Sequence, residues 1–442
     1  MRLLLVLILG GLMHAARSFA PERTVGSGAA GTALACGYLL LSAFFVGSIF
    51  KSLKLPRLTG YLFTGIIVGP RVLDLVTEPM VTNLQIFNGI ATALIALTAG
   101  VELDLRSMRP LFRTIGWLSG VAVCGTIVLL TAAVYLSRHF LPFMSGLTLL
   151  QTVAVCLVLG ITTVAQSPAV VVALQSEMQS DGPLTRTVLG VVVMSDLLVI
   201  ILFAIVSSIA KTFFGSKADA LHTAVVLAWE ILGSLLIGTL VGIVVSVYLR
   251  YVKGSSALFV LAAMFLVAEV GQRIDLDPLA VALAAGMLIR NVTAQGARLQ
   301  EEIESSSLPV YVVFFAVAGA TVHIRDLLVV GIPALILVST RATGFATLGW
   351  LSSSIAEAPD DVRKYVGFGL MPQAGLALAL ALLFVKTFPQ FGAPASALVL
   401  GAVAINEMVA PILYRYALVK TGEAGKAAQR AAVLPAPVPA AH

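Results

Sequence analysis

The chain has 442 residues, of which 59% are hydrophobic and 11% charged, with a mean hydropathy of +1.01. A soluble domain carries about 25% charged residues, so a soluble globular fold is excluded and a polytopic membrane protein is indicated. The net charge of +6 does not point to nucleic acid: the basic residues sit at the ends of apolar runs, where positive charge sets topology.

Residues 1–28 begin with Arg2 and an apolar run from Leu3 to Met13, a signal-like or extra hydrophobic segment. Ser18-Phe19-Ala20 looks like a cleavage site, but Pro21 disfavours cleavage. Thirteen apolar segments of spanning or near-spanning length follow, at about 29–50, 58–76, 86–101, 111–137, 147–175, 186–211, 222–250, 255–273, 278–290, 308–322, 328–351, 362–386 and 393–418. They divide as six, one and six. The membrane domain 29–418 thus holds a first repeat at 29–211, a linking helix at 222–250 and a second repeat at 255–418. The tail 419–442 is Ala/Pro-rich and expected to be disordered. If segment 29–50 starts outside, the cytoplasmic loops carry the larger share of the 28 Lys and Arg. The expectation is an integral protein of the cell (inner) membrane with a cytoplasmic C-terminus. Cys36, Cys124 and Cys156 all fall inside apolar segments without metal-ligand spacing and read as small buried hydrophobes.

The two halves share local patterns in the same order. Ala99-Gly100-Val101-Glu102-Leu103-Asp104-Leu105-Arg106 aligns with Ala318-Gly319-Ala320-Thr321-Val322-His323-Ile324-Arg325. Thr163-Val164-Ala165-Gln166-Ser167-Pro168 is matched by Leu370-Met371-Pro372-Gln373-Ala374-Gly375, and Ser195-Asp196 by Asn406-Glu407. Equivalent segments lie seven apart, an odd offset, so the repeat is inverted. The expected fold is an all-α polytopic membrane protein of about 13 transmembrane helices, in two inverted six-helix repeats with crossed discontinuous helices. Two such halves can alternate access to a midplane site, which argues for a transporter.

Asp196 lies inside the run Leu189–Leu202, at bilayer depth. An acid there costs roughly 2.5–3.5 kcal/mol on insertion scales and is an ion or proton site by default. The fifth and twelfth segments are both broken by polar residues and proline, at Thr162, Thr163, Gln166, Ser167 and Pro168, and at Pro372 and Gln373. Proline frees a carbonyl one turn earlier, and free backbone in lipid survives only where it lines a polar cavity. A hard monovalent cation wants oxygen ligands. Asp196 supplies the charge and is the metal ligand, Ser195 and Thr163 offer hydroxyl or main-chain oxygens, and Gln166 and Ser167 lie close in sequence. The same carboxylate can instead hold a proton, because a low-dielectric surround disfavours the bare charge. One site that takes either ion couples two fluxes.

Arg341 is a second intramembrane charge and must pair or snorkel. Its candidate partners are Asp196, Glu407 and the freed carbonyls at the breaks. Glu407 occupies the place of Asp196 in the other half, one turn before Pro411. It is a second-tier candidate with Gln373 and Thr162, and its structural role is favoured. Five His and three Cys form no nucleophile or metal constellation, so neither an enzyme nor a cofactor is expected.

These residues resemble the cation:proton antiporter superfamily, the monovalent Na+/H+ and K+/H+ exchangers, over about residues 29–418. The stretch Pro56-Arg57-Leu58-Thr59-Gly60-Tyr61-Leu62-Phe63-Thr64-Gly65-Ile66-Ile67-Val68-Gly69-Pro70 is similar to the family's Pro/Gly signature, and Gly100-Val101-Glu102-Leu103-Asp104 to its Gly-x-Glu-x-Asp segment. The family's polar-acid motif falls on Ser195-Asp196 and its intramembrane cation on Arg341. The resemblance implies that the broken helices cross beside the acid, that Arg341 is a charge partner, and that the protein is a homodimer. Electrogenic members carry two adjacent acids; here the first position is Ser195, so electroneutral exchange is expected. Many relatives have Arg-Gly-Glu where this chain has Pro372-Gln373-Ala374-Gly375. The expected function is antiport of Na+, with K+ as the rival, against protons. The alternatives are a proton-coupled organic-anion symporter with Arg341 binding the substrate, and a gated cation channel.

Overall fold

The computed structural model describes residues 2–19, 29–214, 229–252, 256–274, 276–306, 308–321, 331–373, 376–377, 380–381, 384–385, 388 and 391–433. No strand occurs among them. Seven of the described helices are long and apolar enough to cross a membrane, and an eighth span forms if a pair bent by 41° counts as one. Five shorter apolar helices accompany them.

In chain order the helices are α1 (Arg2–Phe19), α2 (Ala29–Ser52), α3 (Arg57–Val68), α4 (Glu78–Leu84) and α5 (Ile86–Glu102). Helix α6 combines Phe112–Trp117, a π-helical turn at Leu118–Val123 and Cys124–Leu136. Then come α7 (Leu149–Val164), α8 (Pro168–Met178), α9 (Pro183–Phe213), α10 (Ser234–Tyr251), α11 (Ser256–Arg273), α12 (Pro278–Val292), α13 (Gly296–Ser306) and α14 (Leu308–Ala320). The chain closes with α15 (Gly331–Ile355), α16 (Asp360–Gly369), α17 (Gly392–Lys420) and α18 (Lys426–Val433). Part of the expected linking helix, 222–228, lies outside the described residues, as does His323.

The helices sort into two groups by what they touch. One holds α2 to α5, α10 to α12 and α14; the other holds α6 to α9 and α15 to α17. In the first group α3 packs on α14 and α5 on α12. In the second, α7 packs on α17 and α9 on α16. Exchanging the halves turns each contact into its partner: α3·α14 becomes α12·α5, and α7·α17 becomes α16·α9. Lipid supplies no hydrophobic drive between helices, so such pairs depend on close backbone approach. A methyl group on Gly65 would collide with the Ala316 carbonyl, and one on Gly319 with the Leu62 carbonyl. Gly100 and Gly286 play the same part between α5 and α12. Much of the Pro/Gly signature is therefore a packing surface. Leu236, Leu240 and Ile243 on α10 point outward, as lipid-facing side chains do.

The expectation of a disordered tail from residue 419 is corrected for residues 419–433. Helix α17 runs on to Lys420, and α18 follows. The cause is Glu423, which is buried although it lies in a polar tail. Helix α9 starts after Gly182, which has no side chain to cap it. The Glu423 carboxylate takes that role, accepting from the Leu184 and Thr185 amides, each at 2.8 Å, and from Thr185 Oγ1 at 2.6 Å. The Gly425 amide donates to Met178 O and the Ala427 amide to Gln179 O. The Glu423 bonds fasten the tail to the helix that carries Asp196, and the other two fasten it to the end of α8. Residues 434–442 lie outside the described residues.

Candidate ion-binding site

Helix α7 opens with a Thr148/Gln151 capping box and runs to Val164. There the backbone leaves the helix: Ala165 adopts φ −46°, ψ 137°, and Ser167 φ −128°, ψ 103°. Ser167 then caps α8 by accepting from the Val170 amide, and Pro168 occupies the first turn, where no amide is needed. In the other half α16 ends at Gly369, and Met371, Pro372 and Gln373 are non-helical. Helical residues resume by Leu376.

The two breaks are bonded to each other. The Ser167 amide donates to Pro372 O at 3.0 Å, and Gln373 Nε2 donates to Thr163 O at 2.8 Å. Asn406 Nδ2, on α17, donates to Gln373 Oε1 at 2.8 Å. Helix α9, which carries Ser195 and Asp196, packs on α7, α8 and α16, the helices that flank the two breaks. Thr162, Thr163, Gln166, Ser167, Ser195, Asp196, Gln373 and Asn406 are all buried.

The donors and acceptors are divided in a way that suits a cation. Thr162 Oγ1 donates to Val158 O, Thr163 Oγ1 to Leu159 O, and Ser195 Oγ to Val191 O. Each hydroxyl has spent its proton one turn back, so only lone pairs remain to face a ligand. Asp196 Oδ1 and both amide atoms of Gln166 are buried without a hydrogen-bond partner. An orphaned buried carboxylate oxygen is costly in protein and calls for a proton or a metal ion.

Arg341 sits on α15, fully buried. Its guanidinium donates to Met371 O, to Ala165 O at 3.1 Å, to Leu370 O at 3.3 Å and to Val164 O at 3.4 Å, and it lies over the Phe345 ring at 4.8 Å. Those carbonyls are the negative ends of α7 and α16. Of the three candidate partners weighed for Arg341, these bonds go to the freed carbonyls. Glu407 is buried on α17, four residues before Pro411. The proline has no amide to give back to the Glu407 carbonyl. Asp104 caps the turn at Arg106 and lies 3.7 Å from Arg290. Asn291 ties that end of α12 to Leu103 O and to the Leu105 amide. Asp104 of the Gly-x-Glu-x-Asp stretch therefore anchors helix ends.

Sequence reasoning missed Asp277. This carboxylate stands at the start of α12 and caps it, accepting from the Leu279 and Ala280 amides. A segment of 15 residues spans only about 22 Å, short of a hydrocarbon core about 30 Å thick.

Three comparisons bear on this arrangement. The family model described as sodium/hydrogen exchanger, transmembrane, matches residues 40–420. The iron transporter MagA of Paramagnetospirillum magneticum is 25% identical over 281 residues, 63% of this chain and 61% of that protein. The Na(+)/H(+) antiporter NhaS5 of Synechocystis is 26% identical over 283 residues, 63% of this chain and 38% of that protein. The match therefore spans less than two thirds of either relative. Two structures of the sodium proton antiporter MjNhaP1 from Methanocaldococcus jannaschii superpose with a TM-score of 0.65 each. One is 16% identical and covers 88% of this chain and 98% of that one; the other is 17% identical and covers 93% and 100%. The chain shares that fold, and with the family model covering most of its length it belongs to the sodium/hydrogen exchanger family.

Proposed function

We propose that the protein is a secondary antiporter that exchanges a monovalent cation, Na+ before K+, for protons at Asp196. The observation that carries the reading is the buried, unpartnered Oδ1 of Asp196 on a helix packed against both broken segments. Gln166, Ser167, Thr163 and Ser195 line the site with oxygen atoms, the ligands a hard cation prefers. Iron, the metal in the name of the MagA relative, is the less suited cargo. Among the described residues no group of three His, Cys, Asp or Glu comes together.

With one acid at the crossing, one proton leaves for each cation that enters, and exchange is electroneutral. The symmetric contact pattern supports alternation, with α6 to α9 and α15 to α17 moving against the other group. The protein resides in the cell membrane with its C-terminus in the cytoplasm, and it works as a homodimer, as the resemblance implies.

Purified protein in proteoliposomes with an internal pH-sensitive dye tests the reading. Addition of Na+, K+ or Li+ should trigger a pH change, largest for Na+ and insensitive to a valinomycin clamp. A response to none of them, together with proton-coupled uptake of an organic acid, would favour the symporter. Conductance far above carrier rates would favour a channel.

A further inference from the structure

Helix α3 starts without a cap of its own. Its N-cap position is Pro56, whose side chain offers no acceptor to the first amides of the helix. The equivalent helix of the second half, α12, caps itself, with Asp277 accepting from the Leu279 and Ala280 amides. For α3 the acceptor comes from the other helix group. Glu177, in the last turn of α8, takes the Arg57 amide on both carboxylate oxygens, at 2.8 and 3.1 Å. A carboxylate placed there also meets the positive end of the helix dipole.

The end of α8 is held on its own side of the boundary. Gln175 Nε2 donates to Tyr414 OH at 2.6 Å and to Thr185 O at 3.0 Å, tying α8 to α17 and α9. The Gly425 and Ala427 amides hold Met178 O and Gln179 O just beyond. On the other side α3 is packed on α2 and α14. The bond between Glu177 and Arg57 therefore joins two bodies that are each tied within themselves. The bonds of Arg341, Gln373, Asn406, Glu423 and Asn291, by contrast, stay within one group.

Packing on the Arg57 face agrees. Helix α8 lies against α3 and α5, and α17 against α3, across the boundary. Leu58 and Tyr61 on α3, Leu174 and Gln175 on α8, and Tyr414 on α17 are buried. Exchanging the halves turns the α3·α17 contact into α12·α9, and among the described residues that pair is not packed to a like extent. The equivalent contacts are thus made on one face and unmatched on the other, as one of two alternating states requires.

We propose that Glu177 is the latch of the Arg57 face: its bond to α3 holds the two groups together while the site faces the other side, and it parts each time the site opens to this one. The alternation that it controls rests on the antiport reading. Glu177 acts through α3 and not on the ion, so it is a positioning residue. A bond made in one state and lost in the other sets the balance between them by its own net worth. Arg57 and Glu177 are only partly buried, so water takes over their hydrogen bonds when the groups part.

The test is the labelling rate of a buried reporter. Ala173 lies one turn before Glu177 on the same face of α8 and is buried. Ala173→Cys is made in a background of Cys36→Ala, Cys124→Ala and Cys156→Ala and treated in detergent with a water-soluble maleimide. Adding Glu177→Ala should speed labelling about fivefold, the population shift expected from loss of one cap. Glu177→Gln still offers an acceptor oxygen and should stay near the parent rate. Ile200→Cys, on α9 beyond Asp196 and so toward the opposite face, should label no faster in Glu177→Ala. An unchanged rate at Ala173→Cys would overturn the proposal, and so would a rise at both reporters, which is general loosening. Labelling needs no transport. A fivefold rise at Ala173→Cys alone, in a protein that shows no Na+-driven pH change, would sink the antiport reading and keep the latch as a gate for another cargo. Intact exchange with unchanged labelling would sink the latch alone.

Discussion

Replacing Arg341 by methionine separates two roles that its position allows. The guanidinium ties the last carbonyls of α7 and α16 to one point. A hydrogen bond to a charged group contributes about 1.5–3 kcal/mol net, and a buried carbonyl left without a donor costs about 1–3 kcal/mol. Two bonds, to Met371 O and to Ala165 O at 3.1 Å, are good; those at 3.3 and 3.4 Å to Leu370 O and Val164 O are marginal. Set against this is the cost of burying a guanidinium, which methionine avoids. The net loss should be about 3 kcal/mol. In a chain of 442 residues that lowers the apparent melting temperature by roughly 3 °C. Arg341→Lys should fall between, because a point charge on a flexible stem cannot span two helix ends. The assay is thermal unfolding in detergent, read by tryptophan fluorescence, beside exchange in proteoliposomes. If Arg341→Met melts like the wild type but no longer exchanges, the residue acts on the ion and is not the pin that closes the crossing.

Two further substitutions probe helix starts. Glu423→Ala removes three bonds from the start of α9 and should destabilise the protein by about 2 kcal/mol, with Glu423→Gln milder; an unchanged melting curve would mean the tail does not hold α9. Glu177, on α8, accepts from the Arg57 amide at 2.8 Å and 3.1 Å and so caps a helix of the opposite group. Glu177→Ala should speed deuterium uptake at the Arg57–Tyr61 amides roughly fivefold, as loss of about 1 kcal/mol of capping allows. Uptake unchanged there would show that the cap contributes nothing in solution.

The elements most legible in the sequence were those where a polar group interrupts an apolar run. Asp196, Arg341 and the two proline breaks stood out because each is expensive in lipid and no local rule requires it. The partners of Arg341 were less legible, since backbone carbonyls carry no residue type: only the crossing itself brings the ends of α7 and α16 to one guanidinium. Glu423 escaped because it lies in a polar tail, where burial depends on a glycine cap 241 residues earlier in the chain. The glycines of the Pro/Gly signature carried a family resemblance whose physical content, contact between backbones, became visible only with α14 in place.

The central claim is that Asp196 takes a cation and a proton in turn. Its most direct test is Asp196→Asn in proteoliposomes, with a pH-sensitive dye inside and a Na+ gradient applied, and with the folded state checked by its melting curve. The account predicts a protein that melts as a folded species and shows no Na+-driven pH change. Retained exchange at a rate near that of the wild type would contradict it.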